Sequence, residues 1–298
     1  TIDPLTGNTL NGVESCSSGN PNVGAEESTI YNVGFSWLPI DGLSIDLDYQ
    51  QIEYTDKIGT LIANEVARLD YNNYLAANNL TPETYDASNQ QQRDQALAWI
   101  AANPNPLVQR GADGLIEAVI RAPVNLSSQW VEGFDLRVRY GFSYRDWGRF
   151  SVALAGNYYT RWEYQEDDKS PVVDARANQN GNTSFASPLA KFKGNLTLGW
   201  FRDNHAAAIT TRYIDEIAYD ENSITLGFTA PEYIRAITKV DARYSYDFMA
   251  LGTDNSVTVG ITNLFDRQAQ RLPQSGGLET RIDDPYGRQF YVSLNTNF

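Results

Sequence analysis

Cysteine and histidine are almost missing from this sequence of 298 residues, which contains one of each, Cys16 and His205. A metal site built from thiolates and imidazoles needs several such ligands, so zinc-finger, haem-thiolate and iron–sulfur proteins are excluded. Basic residues are also scarce, because 23 Lys and Arg residues stand against 37 Asp and Glu residues, for a net charge of −14. A nucleic-acid-binding protein needs basic surface for phosphates, so no nucleic acid is expected as a partner.

Long hydrophobic runs are missing as well. A membrane-spanning helix needs about 18 apolar residues in a row, and the densest helical stretch, residues 96–102, is far shorter. A helical membrane protein is therefore excluded, whereas membrane strands are not, because alternation between two faces keeps their mean hydropathy low. The sequence begins at Thr1 without a charged-then-apolar leader, so we expect a mature or truncated polypeptide.

The sequence does contain a period of two in its apolar residues. Between residues 147 and 163, Phe150, Val152 and Leu154 share one parity, and polar or small residues share the other. Such alternation predicts strands with one apolar and one polar face. We place nine strands, the third with a candidate break at Pro123, at 28–39, 43–57, 115–143, 147–163, 187–201, 205–218, 236–248, 254–265 and 286–298.

The connections between these strands alternate between short turns and long loops. The long loops run at about 58–114, 164–186, 219–235 and 266–285. This order is typical of an outer-membrane β-barrel, with short turns in the periplasm and long loops outside. A soluble β-sandwich or lectin is disfavoured, because aromatic residues such as Trp37, Phe142 and Trp200 cluster at the short-turn ends, like a membrane girdle, rather than in mid-strand.

The long loops hold most of the negative charge and two helix signals. Residues 1–27 alone contain four acidic residues and no basic one, which we interpret as solvated loop rather than a cation site. Thr81-Pro82-Glu83 has the N-cap, Pro and acid of a helix start, and a second helix is predicted from about Ser88 to Ala102. Trp99 in that helix is expected to pack on a neighbouring loop, with ligand contact as the alternative.

Several motifs stand out in the sequence, namely Glu27-Ser28 to Trp37-Leu38-Pro39, Gly133-Phe134-Asp135, Asn263-Leu264-Phe265-Asp266, and Asp284-Pro285-Tyr286-Gly287-Arg288 before a last strand that ends in Phe298. Together they resemble the C-terminal half of the barrel of a TonB-dependent outer-membrane receptor. The resemblance covers residues 26–298. It implies an all-β fold, a partial transmembrane antiparallel barrel of about nine strands out of 22, in the outer membrane of a Gram-negative cell. Residues 1–27 would be an outer loop and 28–298 the strands and loops, with no plug domain.

An odd number of strands agrees with a partial barrel. An open sheet in lipid would leave two edges of unpaired backbone groups, and complete single-chain barrels of bacteria have an even strand count. We therefore expect the other barrel half, the plug and the contact with the TonB energy-coupling protein to lie outside this sequence. In the family, outer loops often carry disulfides, so Cys16 is expected to pair upstream of Thr1, with a free thiol as the alternative.

The resemblance implies ligand-gated active import of a scarce nutrient, such as a siderophore or an oligosaccharide, without a cofactor. A passive porin is the alternative. An enzyme is disfavoured, because no Gly-x-Ser-x-Gly elbow occurs and His205 lies at a predicted periplasmic turn. The acidic exterior favours a neutral or saccharide-like ligand over a strongly anionic chelate.

Ligand contacts are expected where lumen-facing positions reach the outside, and on loop aromatics. The candidates are Tyr159, Arg161, Glu163, Asp215, Trp99, Tyr219, Phe228 and Tyr233. Inward charges such as Arg137, Lys239 and Asp135 are expected to hold a plug rather than a ligand. On the lipid-facing parity of the last strand lie Phe290, Val292, Leu294 and Phe298. Such an ending resembles the signal read by the barrel-assembly machinery of the outer membrane, the alternative being one more girdle ring at Phe298.

Overall fold

The computed structural model of the chain describes residues 3–8, 12–61, 63–125, 128–165, 171–177, 189–219, 231–250, 252–272, 277–280 and 282–297. The long strands are β2 (Glu27–Trp37), β3 (Leu43–Thr55), β8 (Ser128–Ser143), β9 (Arg149–Gln165), β11 (Phe192–Arg202), β12 (His205–Ile214), β15 (Ile237–Ala250), β16 (Thr253–Thr262) and β17 (Gln289–Asn297). The short strands are β1 (Glu14–Ser17), β4 (Ile58–Thr60), β5 (Val108–Arg110), β6 (Ile116–Arg121), β7 (Pro123–Asn125), β10 (Val173–Asp174), β13 (Ile217–Ala218) and β14 (Tyr233–Ile234).

The nine long strands form one antiparallel sheet in which each pairs with the next long strand along the chain. The predicted nine strands are therefore confirmed, with one correction: the predicted strand 115–143 is divided into β6, β7 and β8. Pro123 has no backbone N–H for a ladder, and the chain leaves β6 there so that β7 pairs with β4. The sheet does not close within the described residues, where β2 and β17 are its edges.

One face of this sheet is apolar across all nine strands, and we call it the apolar face. In its centre Val138 lies opposite Leu154, and Leu154 lies opposite Leu196. Its exposed large side chains include Val33, Phe35, Trp37, Leu47, Phe134, Tyr158, Leu196, Leu198, Ile209, Tyr244, Val259, Phe290, Val292 and Leu294. Apolar area left in water costs about 25 cal/mol per Å², so a face of this extent requires an apolar covering.

The opposite face, which we call the polar face, is tied together by hydrogen bonds between neighbouring strands. The hydroxyls of Thr197 and Thr210 are 3.0 Å apart, and the Asn157 amide donates to the Asp135 carboxylate at 2.6 Å. The charged residues in register on this face include Asp46, Asp48, Asp135, Arg137, Arg139, Lys193, Arg212, Lys239, Asp241 and Arg243. The two parities of the strands thus separate apolar from charged side chains, as the sequence predicts.

Aromatic side chains cluster where the strands meet the short turns. The Phe142 ring stacks on that of Phe150 with centroids 5.5 Å apart, and the Trp200 indole N–H donates to the Trp147 carbonyl at 2.7 Å. Gly148 precedes β9 with φ 103°, and a Cβ there would lie 2.3 Å from the Phe201 carbonyl oxygen. Only glycine fits that close approach, which fixes the turn between β8 and β9.

The chain before β2 and the chain between β3 and β8 fold together into one unit. We call it the cap, residues 3–24 and 56–125 as far as they are described. In its small sheet β1 runs parallel to β6, and β6 pairs antiparallel with β5. It also contains the two helices, α1 (Ala63–Ala77) and α2 (Gln90–Ala102). Among the described residues, no helix is long and apolar enough to cross a membrane.

The two helix predictions have different outcomes. The second is confirmed: α2 starts after Asn89, whose side chain accepts the Gln91 amide at 3.0 Å, and ends before Asn103. The helix start at Thr81 is wrong, because those residues form a single turn in which the Thr84 hydroxyl accepts the Thr81 amide at 2.8 Å. Helix α1 was not predicted, because its adjacent Asn72-Asn73 pair is typical of loops.

Candidate ligand-binding site

A β-bulge in β9 determines which side of the sheet the following side chains face. Glu132 lies opposite Arg161 and Gly133 lies opposite Tyr159, so Thr160 is an extra residue without a partner on β8. One extra residue reverses which parity faces which side for the rest of the strand. Strict alternation from Tyr159 would turn Arg161 toward the polar face, and the bulge turns it to the apolar-face side.

Arg161 and Glu163 therefore lie on the apolar-face side of the sheet, and the expectation that they face the lumen is wrong. The Arg161 guanidinium donates to Glu163 at 2.7 Å, lies 3.4 Å from the Glu132 carboxylate, and sits 4.9 Å from the Trp130 ring centre. The Trp130 indole N–H donates to Glu53 at 2.9 Å. These side chains satisfy one another at the end of the strands that carries the long loops.

Tyr159, before the bulge, and Trp162, after it, both lie on the polar face at this end of the sheet. Their rings meet edge to face, with centroids 5.5 Å apart, and the Tyr159 amide donates to the Lys191 carbonyl at 2.9 Å. Alternation alone places Trp162 with the apolar residues of β9. Sequence reasoning therefore missed its position, since no local signal in the sequence marks the bulge.

Asp215 also departs from the expected lumen position. Its carboxylate accepts the Tyr213 hydroxyl at 3.1 Å. Tyr213 belongs to the apolar face, in line with Ile209, and its ring lies 6.0 Å from that of Phe192. Asp215 thus sits beside an outward tyrosine, and of the four predicted rim residues only Tyr159 lies on the polar face.

The predicted loop aromatics lie in two separate places. Tyr219 is buried against Ile234 and Leu272, between the loops that follow β12 and β16. Tyr233 pairs with Ala218 and is 42% exposed, and the adjacent Glu232 carboxylate raises the pKa of its hydroxyl. Phe228 lies outside the described residues.

Trp99 belongs to the cap and packs there. Its ring meets that of Tyr74 at 5.7 Å, and Tyr74 in turn meets Tyr85 at 5.6 Å. The Tyr85 hydroxyl donates to the Leu5 carbonyl, and burial raises the pKa of Tyr85 to about 12. The apolar patch of α2 thus packs on Leu5 of the N-terminal segment and on α1, and the Trp99 ring itself meets α1 of its own long loop rather than a neighbouring loop.

A cleft lies beside β15, between the loops that follow β12 and β16. It is shallow and is lined by Ile234, Arg235, Ile237, Arg267, Gln268, Ala269, Gln270, Leu272, Leu278, Glu279 and Asp283. The carboxylate of Asp283, one of these residues, is 2.5 Å from the buried Lys239 ammonium. Lys239 was predicted as an inward charge, whereas its partner in a long loop has no sequence signal.

The Asn263-Leu264-Phe265-Asp266 motif has a structural role beside this cleft. Asn263 is buried in the left-handed region at φ 53°, and its side chain both accepts from the Arg267 amide and donates to the Arg267 carbonyl, each at 2.8 Å. Asp266 accepts the Arg288 amide at 2.8 Å, which holds the start of β17 against the end of β16. The motif therefore shapes the exit from β16.

The chain's one cysteine and one histidine lie apart from these sites. Cys16 is exposed and forms no disulfide within the described part of the chain. His205 accepts or donates one hydrogen bond, with its Nδ1 2.5 Å from the Tyr244 hydroxyl. Among the described residues, no group of three or more His, Cys, Asp or Glu side chains is arranged to hold a metal ion.

Comparison with known proteins gives one family and a set of similar folds. The family model for the TonB-dependent receptor-like β-barrel matches residues 1–264. No curated protein sequence matches the chain. A crystal structure of a mutant ferric enterobactin receptor, PfeA of Pseudomonas aeruginosa, is 17% identical with a TM-score of 0.54 over 94% of this chain and 32% of that one.

Two other solved structures are similar to the chain in fold. The siderophore receptor PirA of Acinetobacter baumannii is 16% identical, with a TM-score of 0.51 over 94% of this chain and 33% of that one. The copper transporter OprC is 11% identical, with a TM-score of 0.51 over 92% of this chain and 30% of that one. The chain thus spans about a third of the length of these structures, and at such identities the likeness concerns the fold.

Proposed function

The chain belongs to the TonB-dependent receptor β-barrel family, and from that premise we propose that it forms part of the wall and the ligand-binding outer loops of an outer-membrane importer. The importer takes up a scarce nutrient, such as a siderophore or an oligosaccharide, by ligand-gated active transport. The observation that carries this proposal is the continuous apolar face of nine strands opposite a charged polar face. These two faces suit a sheet that stands between lipid and an aqueous or protein-filled lumen.

The same premise supplies the proposed partners and location. Outer-membrane lipid covers the apolar face, and a plug domain meets the charged polar face. Further barrel strands pair with the exposed edges β2 and β17, because unpaired backbone groups in lipid cost several kcal/mol each. Energy coupling through the TonB protein acts on parts beyond residues 1–298. As domain limits we propose residues 1–27 for an outer loop and residues 28–298 for the barrel strands and their loops.

The proposed ligand contacts are narrowed by the geometry of the strands. Tyr159 is supported by its place on the polar face and Tyr233 by its exposed ring, and Phe228 remains a proposal from the sequence. Arg161, Glu163 and Asp215 are less favoured because they lie on the apolar-face side, and Trp99 and Tyr219 because they pack into clusters. Since one solved structure of this fold is named as a siderophore receptor and another as a ferric enterobactin receptor, ferric siderophores are the first ligand class to test.

Uptake of labelled nutrients tests the proposed function. Cells expressing the whole importer, of which this chain is a part, are given radiolabelled ferric hydroxamates, ferric catecholates and maltooligosaccharides, with and without the TonB protein. We expect saturable uptake of one class that disappears without TonB. Uptake that is unsaturable and independent of TonB would contradict the proposal and indicate a passive channel.

A matched pair of variants tests the ligand contacts. Tyr159→Ala removes a ring from the polar face, whereas Tyr158→Ala removes the neighbouring ring from the apolar face. We expect the first change to raise the uptake KM at least tenfold and the second to leave it unchanged. Equal effects on KM would contradict a ligand-contacting role for Tyr159.

We propose that the last strand carries an assembly signal. Phe290, Val292 and Leu294 are 71%, 74% and 66% exposed on the apolar face of β17, where a partner sheet edge has access. Phe298, with the same parity, lies outside the described residues. Deleting Phe298 should reduce the amount of protein in the outer membrane far more than Trp200→Ala, and equal small losses would leave Phe298 as a girdle ring.

A further inference from the structure

The core of the cap includes residues of the sheet. Leu61, Val66 and Val119 of the cap are at most 1% exposed, and they form one cluster with Tyr164 of β9, which is 3% exposed. Trp162, two residues earlier on β9, packs against the same cluster. Because the bulge at Thr160 lies just before them, these two aromatic residues point to the polar face and into the cap.

A second strand contributes to the same contact. Gln129 and Val131 of β8 are buried on the polar face, at 3% and 6% exposure. The Lys57 ammonium of the cap donates a hydrogen bond to the Gln129 side-chain oxygen. The cap therefore rests on β8 and β9 through both apolar and polar contacts, on the side opposite the apolar face.

Hydrogen bonds also tie the separate segments of the cap to each other. The Asn125 amide donates to the Gly24 carbonyl at 3.1 Å and to the Asp56 carbonyl at 2.7 Å, and its oxygen accepts the Gly24 amide at 2.7 Å. The Asn20 amide donates to the Pro123 carbonyl at 3.0 Å. These bonds join the chain before β2, the chain after β3 and the chain before β8 at the point where the cap meets the sheet.

We infer that the cap is a fixed extension of the sheet, built on β8 and β9, and not a lid that opens during ligand capture. Opening would expose the cluster around Tyr164 to water and break the hydrogen bond from Lys57 to the buried Gln129 side chain, both of which are unfavourable. This inference concerns the fold alone and holds whichever ligand is transported.

Hydrogen exchange measured by mass spectrometry on the protein in outer-membrane vesicles tests this inference. We expect the amides of α1 and β6 to exchange as slowly as those of β8 and β9, and at least a hundredfold more slowly than those of the turn at residues 203–204. Exchange of α1 and β6 as fast as that turn would overturn the inference. Because no transport is measured, the result is independent of the proposed import function.

Two tyrosines on β9 provide the matched variants. Tyr164→Ala removes the buried ring and should speed exchange in α1 and β6 at least tenfold, while β11 and β12 stay protected. Tyr158→Ala removes a ring that is 45% exposed on the apolar face and should leave the cap protected. Unchanged exchange in α1 and β6 after Tyr164→Ala would overturn the inference. If that variant fails to reach the membrane, Val119→Ala within the cap provides the same comparison.

Discussion

At the scale of single residues, Arg110 holds the polar interior of the cap together. Its guanidinium lies 2.6 Å from the Asp3 carboxylate and 3.0 Å from that of Asp70, and all three side chains are nearly buried. Burial raises the pKa of the Asp70 carboxyl, even though Arg110 favours its charged form. Burial alone would lower the pKa of Arg110, but the Asp3 and Asp70 carboxylates raise it. The three charges therefore depend on one another.

Replacing Arg110 should destabilise the cap strongly. Arg110→Met leaves the two buried carboxylates without their positive counter-charge, which costs about 3–5 kcal/mol. Asp70→Asn keeps the shape and one hydrogen bond to Arg110, so it should cost only about 1 kcal/mol. Urea unfolding of the protein in detergent, followed by protease cutting within the cap, measures both values. A smaller loss for Arg110→Met than for Asp70→Asn would contradict this account.

The raised pKa of Asp70 predicts the sign of a pH effect. This carboxyl binds a proton more readily in the folded cap than in the unfolded chain, so its contribution to stability is complete below its ordinary pKa. That contribution is lost as the pH rises through the raised pKa. Urea midpoints of the cap should therefore fall over this range in the wild type and fall less in Asp70→Asn. A steeper fall in the variant would contradict the prediction.

The face of the sheet on which each side chain lies was the least predictable feature of the site. The parity rule places Leu154 and Val138 correctly, because both lie in uninterrupted stretches of their strands. It fails for Arg161 and Glu163, because the bulge depends on pairing between β8 and β9 and not on the local sequence. Trp162 was misplaced for the same physical reason.

At the scale of elements, the long strands were predictable because each of their side chains faces either the apolar or the polar side of the sheet. Alternation of apolar and polar side chains is preserved along each strand, so a period of two is visible in the sequence. Helix α2 was predictable from its cap at Asn89 and its stop at Asn103. Helix α1 was not, since its stability comes from packing of Val66 and Ala67 in the cap core rather than from local propensity.

Adjacent residues of β11 test the two faces of the sheet. Leu196 lies on the apolar face opposite Leu154, and Thr197 lies on the polar face opposite Ala153. Leu196→Arg should cost about 2–4 kcal/mol if it faces lipid near mid-membrane, whereas Thr197→Arg should be mild. Folding titrations in lipid vesicles measure both. Equal costs would mean that both faces see the same environment, as in a soluble two-sided core.

At the scale of the whole molecule, the alternation of loops predicts one orientation. With Cys16→Ser as background, single cysteines at Glu83 and Ser88 of the cap should react with a membrane-impermeant maleimide on intact cells. Cysteines at Asp203, in a short turn, and at Thr253, the first residue of β16 beside a short turn, should react only after the outer membrane is broken. Labelling of the short turns on intact cells would contradict the orientation, since all assignments share one alternation.

The whole-molecule arrangement was predictable only in part. The family and the open nine-stranded sheet follow from motifs and periodicity in the sequence. The joining of the chain before β2 to the loop after β3 was not foreseen, because it depends on contacts such as Asp3 with Arg110 that are distant in sequence. Such contacts leave no periodic signal.

A spin-label scan of β9 tests the central claim, that this sheet is a membrane wall, most directly. Labels at residues 149–165 of the protein in outer membranes are probed with oxygen, which concentrates in lipid, and with a water-soluble nickel complex. We predict that even positions from 150 to 158 favour oxygen and odd ones favour nickel, with the alternation shifted by one residue after Thr160. Accessibility without alternation, or equal access of nickel to both parities, would contradict the account.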